Sequence, residues 1–232
     1  MIPLVLLPGM MCDARLFAPQ IAAFSAHRVV HVAPLIATQT ITGLAQNVLD
    51  NAPPRFALAG LSMGGIVAME VIRLAPERVD RIAFLDTNPL AELPEVAAAR
   101  EPQIIKVQTG HLHSVMRDEM KPRYLADGPA RQEILNICMD MAKALGPEVF
   151  VRQSRALQSR PDQQDTLRHI TVPTLALCGR FDTLCPVQRH ELICALVPNA
   201  TLTVIEGAGH LPTLEQPDLT NATLTRWLET DT

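Results

Sequence analysis

The sequence predicts an α/β fold in which helices cover both faces of a six-stranded, mostly parallel sheet. Short apolar runs that end in loops alternate with segments of helical periodicity over most of the chain, as in sheets built from crossover units. In one such unit the strand Phe56–Leu61 runs through Gly60-Leu-Ser-Met-Gly-Gly65 into an apolar helical segment. A length of 232 residues, 48% of them hydrophobic, suits one domain with a large core.

Six runs are predicted as strands because each is short, apolar and bounded by loop residues. In chain order they are Pro3–Leu7, Arg28–Ala33, Phe56–Leu61, Arg81–Leu85, Thr174–Cys178 and Thr201–Ile205. The N-terminal run has no charged leader and no cleavage site, so we interpret it as the first strand rather than as a signal peptide.

Helices are predicted between the strands. The first begins near Asp13, a residue type favoured at N-caps, and ends before Ser25. A last helix, Thr220–Glu229, closes the chain. The second helix has apolar residues at positions i, i+3, i+4, i+7 and i+8, the spacing of one helix face. These residues are Ile41, Leu44, Ala45, Val48 and Leu49.

Between about Leu90 and Ile170 the alternation stops, and prolines interrupt segments that look helical. We interpret residues 90–170 as a helical cap inserted into a core formed by residues 1–89 and 171–232. The clearest cap helix presents one apolar face. This face consists of Ile134, Ile137, Cys138, Met141, Ala142 and Leu145.

Charge and composition argue against several classes of function. A net charge of −4 and a pI near 6.0, without basic runs or a P-loop, give no reason to expect a nucleic-acid partner. No apolar run approaches the ~20 residues that span a bilayer, so no membrane partner is expected. Five cysteines without metal-type pairing indicate reduced thiols in a cytoplasmic protein. Neither a metal nor a cofactor site is predicted, and the oligomeric state stays open.

Ser62 is the candidate nucleophile. It is the serine of a G-x-S-x-G sequence placed between a strand and a helix, which is the context of a nucleophile elbow. The elbow turn is strained and leaves no room for side chains two residues before and two residues after the serine, which explains Gly60 and Gly64. The N-terminus of the following helix would favour an anion beside Ser62.

A serine hydroxyl needs a base that is itself held in place. His210 follows the last strand, and the carboxyl ends of parallel strands share one edge with Ser62. Two carboxylates follow other strands at the same edge, Asp182 and Asp86, and either could orient the histidine. The chain order Ser–Asp–His favours Asp182.

Backbone N–H groups are expected to stabilise an oxyanion at this site. One would come from Met63, the residue after the serine, and the other from Met10 in the loop after the first strand. Met11 and His113 are predicted to contact the substrate. No cluster of Arg or Lys near these loops indicates an anion clamp, and Arg180 and Arg189 are the nearby cations.

The segments Leu6-Leu-Pro-Gly-Met10, Gly60-Leu-Ser-Met-Gly-Gly65, Gly179-Arg-Phe-Asp182 and Gly207-Ala-Gly-His210 together resemble the signature loops of the α/β-hydrolase superfamily. The likeness is to its small, capped, cofactor-free serine esterase-like branch. The family's usual N-terminal hairpin is missing, so the resemblance implies six strands in the order 2-1-3-4-5-6. Pro8-Gly9 stands where the family has His-Gly, which removes a side-chain hydrogen bond from the oxyanion loop.

The resemblance implies acyl-transfer chemistry on a small-molecule ester through Ser62, His210 and Asp182. The same catalytic triad also supports carbon–carbon bond hydrolysis, lyase or acyltransferase chemistry, so these remain alternatives. A third alternative is a ligand-binding receptor with little turnover, for which Pro8-Gly9 is the only sequence support.

Overall fold

The computed structural model describes residues 1–230 and contains one six-stranded, fully parallel sheet. The strand order is β2-β1-β3-β4-β5-β6, which confirms the predicted order. The strands are β1 Leu4–Leu7, β2 Val30–Val32, β3 Phe56–Leu61, β4 Val79–Leu85, β5 Thr174–Gly179 and β6 Ala200–Ile205. β2 is shorter than the predicted Arg28–Ala33 because it lies at the edge and pairs with β1 over three residues only.

Helices cover both faces of the sheet. They are α1 Ala18–Phe24, α2 Ile41–Asn51, α3 Met63–Leu74, α4 Pro94–Gln108, α5 Leu112–Ser114, α6 Arg131–Gln158, α7 Gln164–Arg168, α8 Val187–Leu196, α9 Pro212–Glu215 and α10 Pro217–Glu229. Short 3₁₀ segments lie at Ala14–Phe17, Pro76–Arg78 and Lys121–Arg123, and a π-helical turn at Val115–Met120. Within residues 1–230, no helix is both long and apolar enough to cross a membrane.

The central strands are apolar on both sides because helices pack on each face of the sheet. Along β1, Leu4 and Leu6 belong to the hydrophobic cluster on one face, whereas Val5 and Leu7 belong to the cluster on the other. All four side chains are fully buried. The sheet is therefore a rigid platform whose carboxyl edge carries the loops of interest.

Local signals in the sequence explain the helices next to the sheet. Asp13 caps the 3₁₀ turn before α1, its carboxylate accepting the N–H of Arg15 at 3.0 Å. Thr40 caps α2 by accepting the N–H of Gly43. The five apolar residues predicted to form one face of α2 are all buried.

Residues between β4 and β5 form helices α4 to α7. The predicted apolar face of α6 is partly confirmed, because Ile134, Cys138, Met141 and Ala142 are buried while Ile137 and Leu145 are half-buried. The prolines interrupt helices less than predicted: α4 passes through Pro102, and α6 continues past Pro147 after a kink at Gly146. The division into core and cap at residues 90 and 170 stays a prediction.

Candidate active site

Ser62 lies between the last residue of β3 and the first residue of α3. Its φ of 56° and ψ of −116° are unfavourable for a residue with a side chain. Two hydrogen bonds hold this conformation: the N–H of Ser62 donates to the carbonyl of Leu85 at 2.8 Å, and the hydroxyl of Thr87 donates to the carbonyl of Ser62 at 2.7 Å. The side chain is only partly buried, so its hydroxyl is open to a ligand.

Glycines make the tight turn possible. A Cβ at Gly64 would collide with the carbonyl oxygen of Leu7, and a Cβ at Gly60 would collide with the backbone of Gly64. These close approaches press the start of α3 against the ends of β1 and β3. The strand–turn–helix segment therefore has the backbone geometry that a nucleophile elbow requires.

The loop after β1 lies against the elbow. A Cβ at Gly9 would sit 3.4 Å from the Cβ of Ser62. The N–H of Met10 donates to no residue within 1–230, and that of Met63 opens α3, where no earlier turn can accept it. Both groups are thus available to an oxyanion.

Gln153 of α6 steadies this loop, a contact that sequence reasoning missed. Its side-chain oxygen accepts the N–H of Met11 at 2.8 Å, and its amide nitrogen donates to the carbonyl of Leu35 at 2.8 Å. Gln153 is buried. A residue of α6 therefore supplies the side-chain hydrogen bond to this loop that Pro8-Gly9 cannot give.

His210 and Asp182 form a buried pair. Nδ1 of His210 lies 2.7 Å from Oδ2 of Asp182, and the other carboxylate oxygen accepts the N–H groups of Leu184 and Cys185 at 2.8 and 3.0 Å. Burial alone would raise the pKa of Asp182, but His210 and the hydrogen bonds lower it below its ordinary value. Asp182 is therefore a carboxylate that fixes the orientation of the imidazole.

Glu215 holds the histidine loop on both sides of His210. One of its oxygens accepts from the N–H of Leu211 at 2.9 Å, and the other accepts from Gly209 at 2.9 Å and from Ala126 at 2.8 Å. The N–H of His210 donates to the carbonyl of Tyr124 at 2.7 Å. The histidine loop is thus bonded to Tyr124 and Ala126 in the segment between β4 and β5, a contact that the sequence did not indicate.

Asp86 lies near this pair but does not bond to His210. It is fully buried at a φ of 43°, and one carboxyl oxygen accepts the N–H of Gly179 at 2.9 Å. Its other oxygen has no hydrogen-bond partner among residues 1–230. Burial and the negative charge of Asp182 raise the pKa of Asp86 well above its ordinary value, which favours its protonated form.

His190 of α8 supports the turn at Ser62 indirectly, through Thr87. Its Nε2 accepts the N–H of Thr87 at 3.1 Å, and Thr87 in turn bonds to Ser62. Burial lowers the pKa of His190 to about 4, although Asp182 acts in the opposite direction. The folded protein therefore keeps this imidazole neutral.

The buried His190 predicts a loss of stability in acid. The unfolded chain protonates this histidine below pH 6.5, whereas the folded protein does so only near pH 4. The free energy of unfolding should therefore fall as pH drops through this window, by about 3 kcal/mol from this group. Chemical denaturation at a series of pH values measures this. His190→Gln, which keeps an acceptor for Thr87, should weaken the dependence, whereas exposed His27→Gln should not.

A cavity of about 480 Å³ opens beside Ser62. Ser62, His210, Met10 and Met63 all line it. The two residues predicted to contact the substrate, Met11 and His113, do not line this cavity. Met11 is fully buried in the core, and His113 is exposed because its neighbours Leu112, Val115 and Met116 face the interior.

The cationic residues that line the cavity differ from those expected from the sequence, which were Arg180 and Arg189. Arg180 is paired with Glu206 on the surface and does not line the cavity, whereas Arg189 does. Three further arginines, from the segment between β4 and β5, line the cavity: Arg100, Arg123 and Arg160. The prediction that no arginine cluster lies near the site was wrong, because these residues come from segments distant in the chain.

Among residues 1–230, one group has metal-ligand geometry: Asp182, Cys185 and His210, whose ligand atoms lie within 4.8 Å of one another. The hydrogen bond between His210 and Asp182 already accounts for two of them. Burial raises the pKa of the Cys185 thiol well above its ordinary value, which opposes metal binding. Cys12 is equally unreactive, since burial raises its pKa to about 12.

Comparison with known proteins gives consistent results. A model described as "Alpha/beta hydrolase family" matches residues 4–223. A pimeloyl-[acyl-carrier protein] methyl ester esterase from Pectobacterium carotovorum is 27% identical over 231 residues, covering 93% of this chain and 89% of that protein. A thermophilic esterase from Thermogutta terrifontis, solved with malate bound, has a TM-score of 0.90 at 25% identity and covers 98% and 89% of the two chains. The enol-lactonase from Burkholderia xenovorans LB400 has a TM-score of 0.88 at 23% identity, covering 99% and 92%, and shows the likeness of fold.

Proposed function

Since this chain belongs to the alpha/beta hydrolase family and is a carboxylesterase-like enzyme, we propose that it hydrolyses a carboxylic ester of a small or medium acyl substrate through Ser62, His210 and Asp182. One observation carries the proposal. The imidazole that lines the cavity beside Ser62 is held by a buried carboxylate at 2.7 Å.

In the proposed reaction His210 takes the proton of the Ser62 hydroxyl as its oxygen attacks the ester carbonyl. The N–H groups of Met10 and Met63 stabilise the oxyanion. Collapse of this intermediate breaks the bond to the alkoxy group, which leaves as an alcohol with the proton from His210. Water, activated by the same histidine, then cleaves the acyl-enzyme and releases the carboxylic acid.

The proposed size of the substrate follows from the cavity. A volume of about 480 Å³ lies in the lower part of the range for small-molecule sites. Relatives named as pimeloyl-[acyl-carrier protein] methyl ester esterases support an acyl ester as the class of substrate.

The receptor alternative rested on an oxyanion loop that lacks its usual side-chain hydrogen bond. Gln153 accepts the N–H of Met11 and so supplies a side-chain hydrogen bond to this loop, which favours an enzyme over a receptor. Carbon–carbon bond hydrolysis, lyase and acyltransferase chemistry use the same groups and are compared with ester hydrolysis by product analysis. We also propose a cytoplasmic location, which the five free cysteines support.

Labelling with a fluorophosphonate tests the proposal directly. We expect rapid, stoichiometric modification of Ser62, located by peptide mass spectrometry, because the reagent needs an activated serine and a formed oxyanion hole. Preincubation with a cleavable ester should slow the labelling. Labelling no faster than that of the exposed Ser25 would refute a serine hydrolase.

A further inference from the structure

The cavity beside Ser62 has a cationic wall, which we call the arginine wall and define as Arg100, Arg160 and Arg189. These three side chains come from α4, the segment after α6, and α8. They are distant from one another in the sequence and line one cavity only in the folded protein. The rest of the lining near the nucleophile includes the apolar side chains of Met10, Met63, Ile66 and Leu157.

One carboxylate faces the arginine wall from the protein itself. Glu92 accepts from Arg100 at 2.9 Å and lies 3.4 Å from Arg160. Glu119, the other acidic residue of the lining, is bonded instead to Lys106 at 2.8 Å and to Gln103 at 3.1 Å. Two of the three guanidinium groups, those of Arg100 and Arg160, thus share one carboxylate, which leaves an excess of positive charge at the arginine wall.

Arg160 has a hydrogen-bond donor that residues 1–230 do not satisfy. Its side chain is only 10% exposed, and its Nε has no hydrogen-bond partner among residues 1–230. Burial lowers the pKa of Arg160, and Arg100 and Arg189 lower it further by repulsion, whereas Glu92 raises it. A buried guanidinium donor without an acceptor is costly unless a ligand supplies one.

Arg189 is the part of the wall best placed to receive a ligand. It is half-buried, lines the cavity, and its side chain makes no hydrogen bond or ion pair to another residue within 1–230. Its guanidinium fork matches the two oxygens of a carboxylate or phosphate. The repulsion between Arg189 and Arg160 would be relieved by an anion that contacts both.

We propose that the arginine wall is an anionic subsite, and that the substrate carries a carboxylate or phosphate group in addition to its ester bond. This rests on the proposed ester hydrolysis for the position of the scissile group. The apolar residues around Ser62 would then contact the acyl chain, and the arginine wall would bind its charged end. The neutral ester end would then lie at Ser62, whose chain neighbour Met63 and the other lining residues Met10 and Ile66 carry no charge.

Matched ester pairs test the subsite. The monomethyl esters of succinate, adipate and suberate each carry a free carboxylate, and their dimethyl esters do not. We expect wild type to prefer one or more of the monoesters, chiefly through a lower KM. In Arg189→Gln, kcat/KM for that monoester should fall about tenfold to 100-fold more than kcat/KM for its diester, as for a lost charge-assisted hydrogen bond. Arg189→Lys should restore part of the preference.

Arg180→Gln is the control, because Arg180 has the same charge and lies outside the cavity. This variant should leave kcat/KM unchanged for both the monoester and its diester. Raising the ionic strength should weaken the preference for the monoester in wild type. Equal losses for both esters in Arg189→Gln, or no preference in wild type for any monoester, would overturn the subsite while leaving ester hydrolysis intact.

Binding to Ser62→Ala separates the two proposals. Calorimetry with a monoester, its diester and a phosphonate-bearing methyl ester needs no turnover, so it reports on the subsite even if the enzyme proves not to be an esterase. Tighter binding of an anionic ester, lost in the double variant with Arg189→Gln, supports the subsite, and the preferred anion identifies carboxylate or phosphate. Equal binding of neutral and anionic esters would contradict it.

Discussion

Replacing Ser62 by alanine is expected to lower kcat for a p-nitrophenyl ester by about 10⁵-fold or more, because the members of a triad act as one unit. The thermal midpoint should stay within a few degrees of wild type, since the Ser62 side chain makes no hydrogen bond to another residue within 1–230. Stopped-flow or long-incubation assays with the purified variant measure the loss, and circular dichroism measures the midpoint.

The control for this experiment is Ser25→Ala, which removes the same hydroxyl from an exposed position after α1. It should retain full activity. If Ser62→Ala still turned over the ester at a rate comparable to wild type, the hydroxyl would not be the nucleophile, and the role given to His210 would have no reacting partner.

Asp182→Asn is expected to lower kcat by about 10⁴-fold, because an amide facing Nδ1 favours the wrong tautomer of His210. The hydrogen bond of 2.7 Å and the full burial of this side chain leave no room for water to replace the carboxylate. The loss should appear in kcat for all esters, charged or neutral. Steady-state kinetics over a range of pH separates it from a loss of substrate affinity.

Asp86→Asn provides the matched comparison. The pKa of Asp86 is raised well above its ordinary value, so an uncharged amide of the same shape should be tolerated at this position, and it keeps an acceptor for Gly179. The pH profile of kcat/KM should stay that of wild type. A large shift of that profile would mean that Asp86 carries a negative charge at the site, and near-normal kcat in Asp182→Asn would mean that it replaces Asp182.

The sheet and the elbow were predictable because their signals are local. Buried strands such as Phe56–Leu61 are short apolar runs, and the turn around Ser62 requires small residues at fixed distances. Parallel topology then gathers the loops of Asp182 and His210 at one edge. Edge strand β2 was predicted three residues too long because its apolar pattern continues to Val29 and Ala33, on either side of the three residues that pair with β1.

The supporting contacts were not predictable in the same way. Gln153 reaches Met11 across 142 residues of chain, and Glu215 reaches Ala126 across 89. In the sequence, polar residues such as Gln153 and Arg160 look like solvent-facing positions, and only the tertiary packing of the folded chain buries them. The arginine wall was missed for this reason, since its members lie on three separate elements.

The carboxylate of Glu215 has a practical consequence for protein engineering. It joins Ala126 to the backbone on either side of His210, so the segment between β4 and β5 should not be exchangeable as an independent module. A chimera with a foreign segment there must bring a compatible backbone donor to this glutamate. Otherwise we expect the position of His210 to be disturbed, and turnover to fall for every substrate rather than change in selectivity.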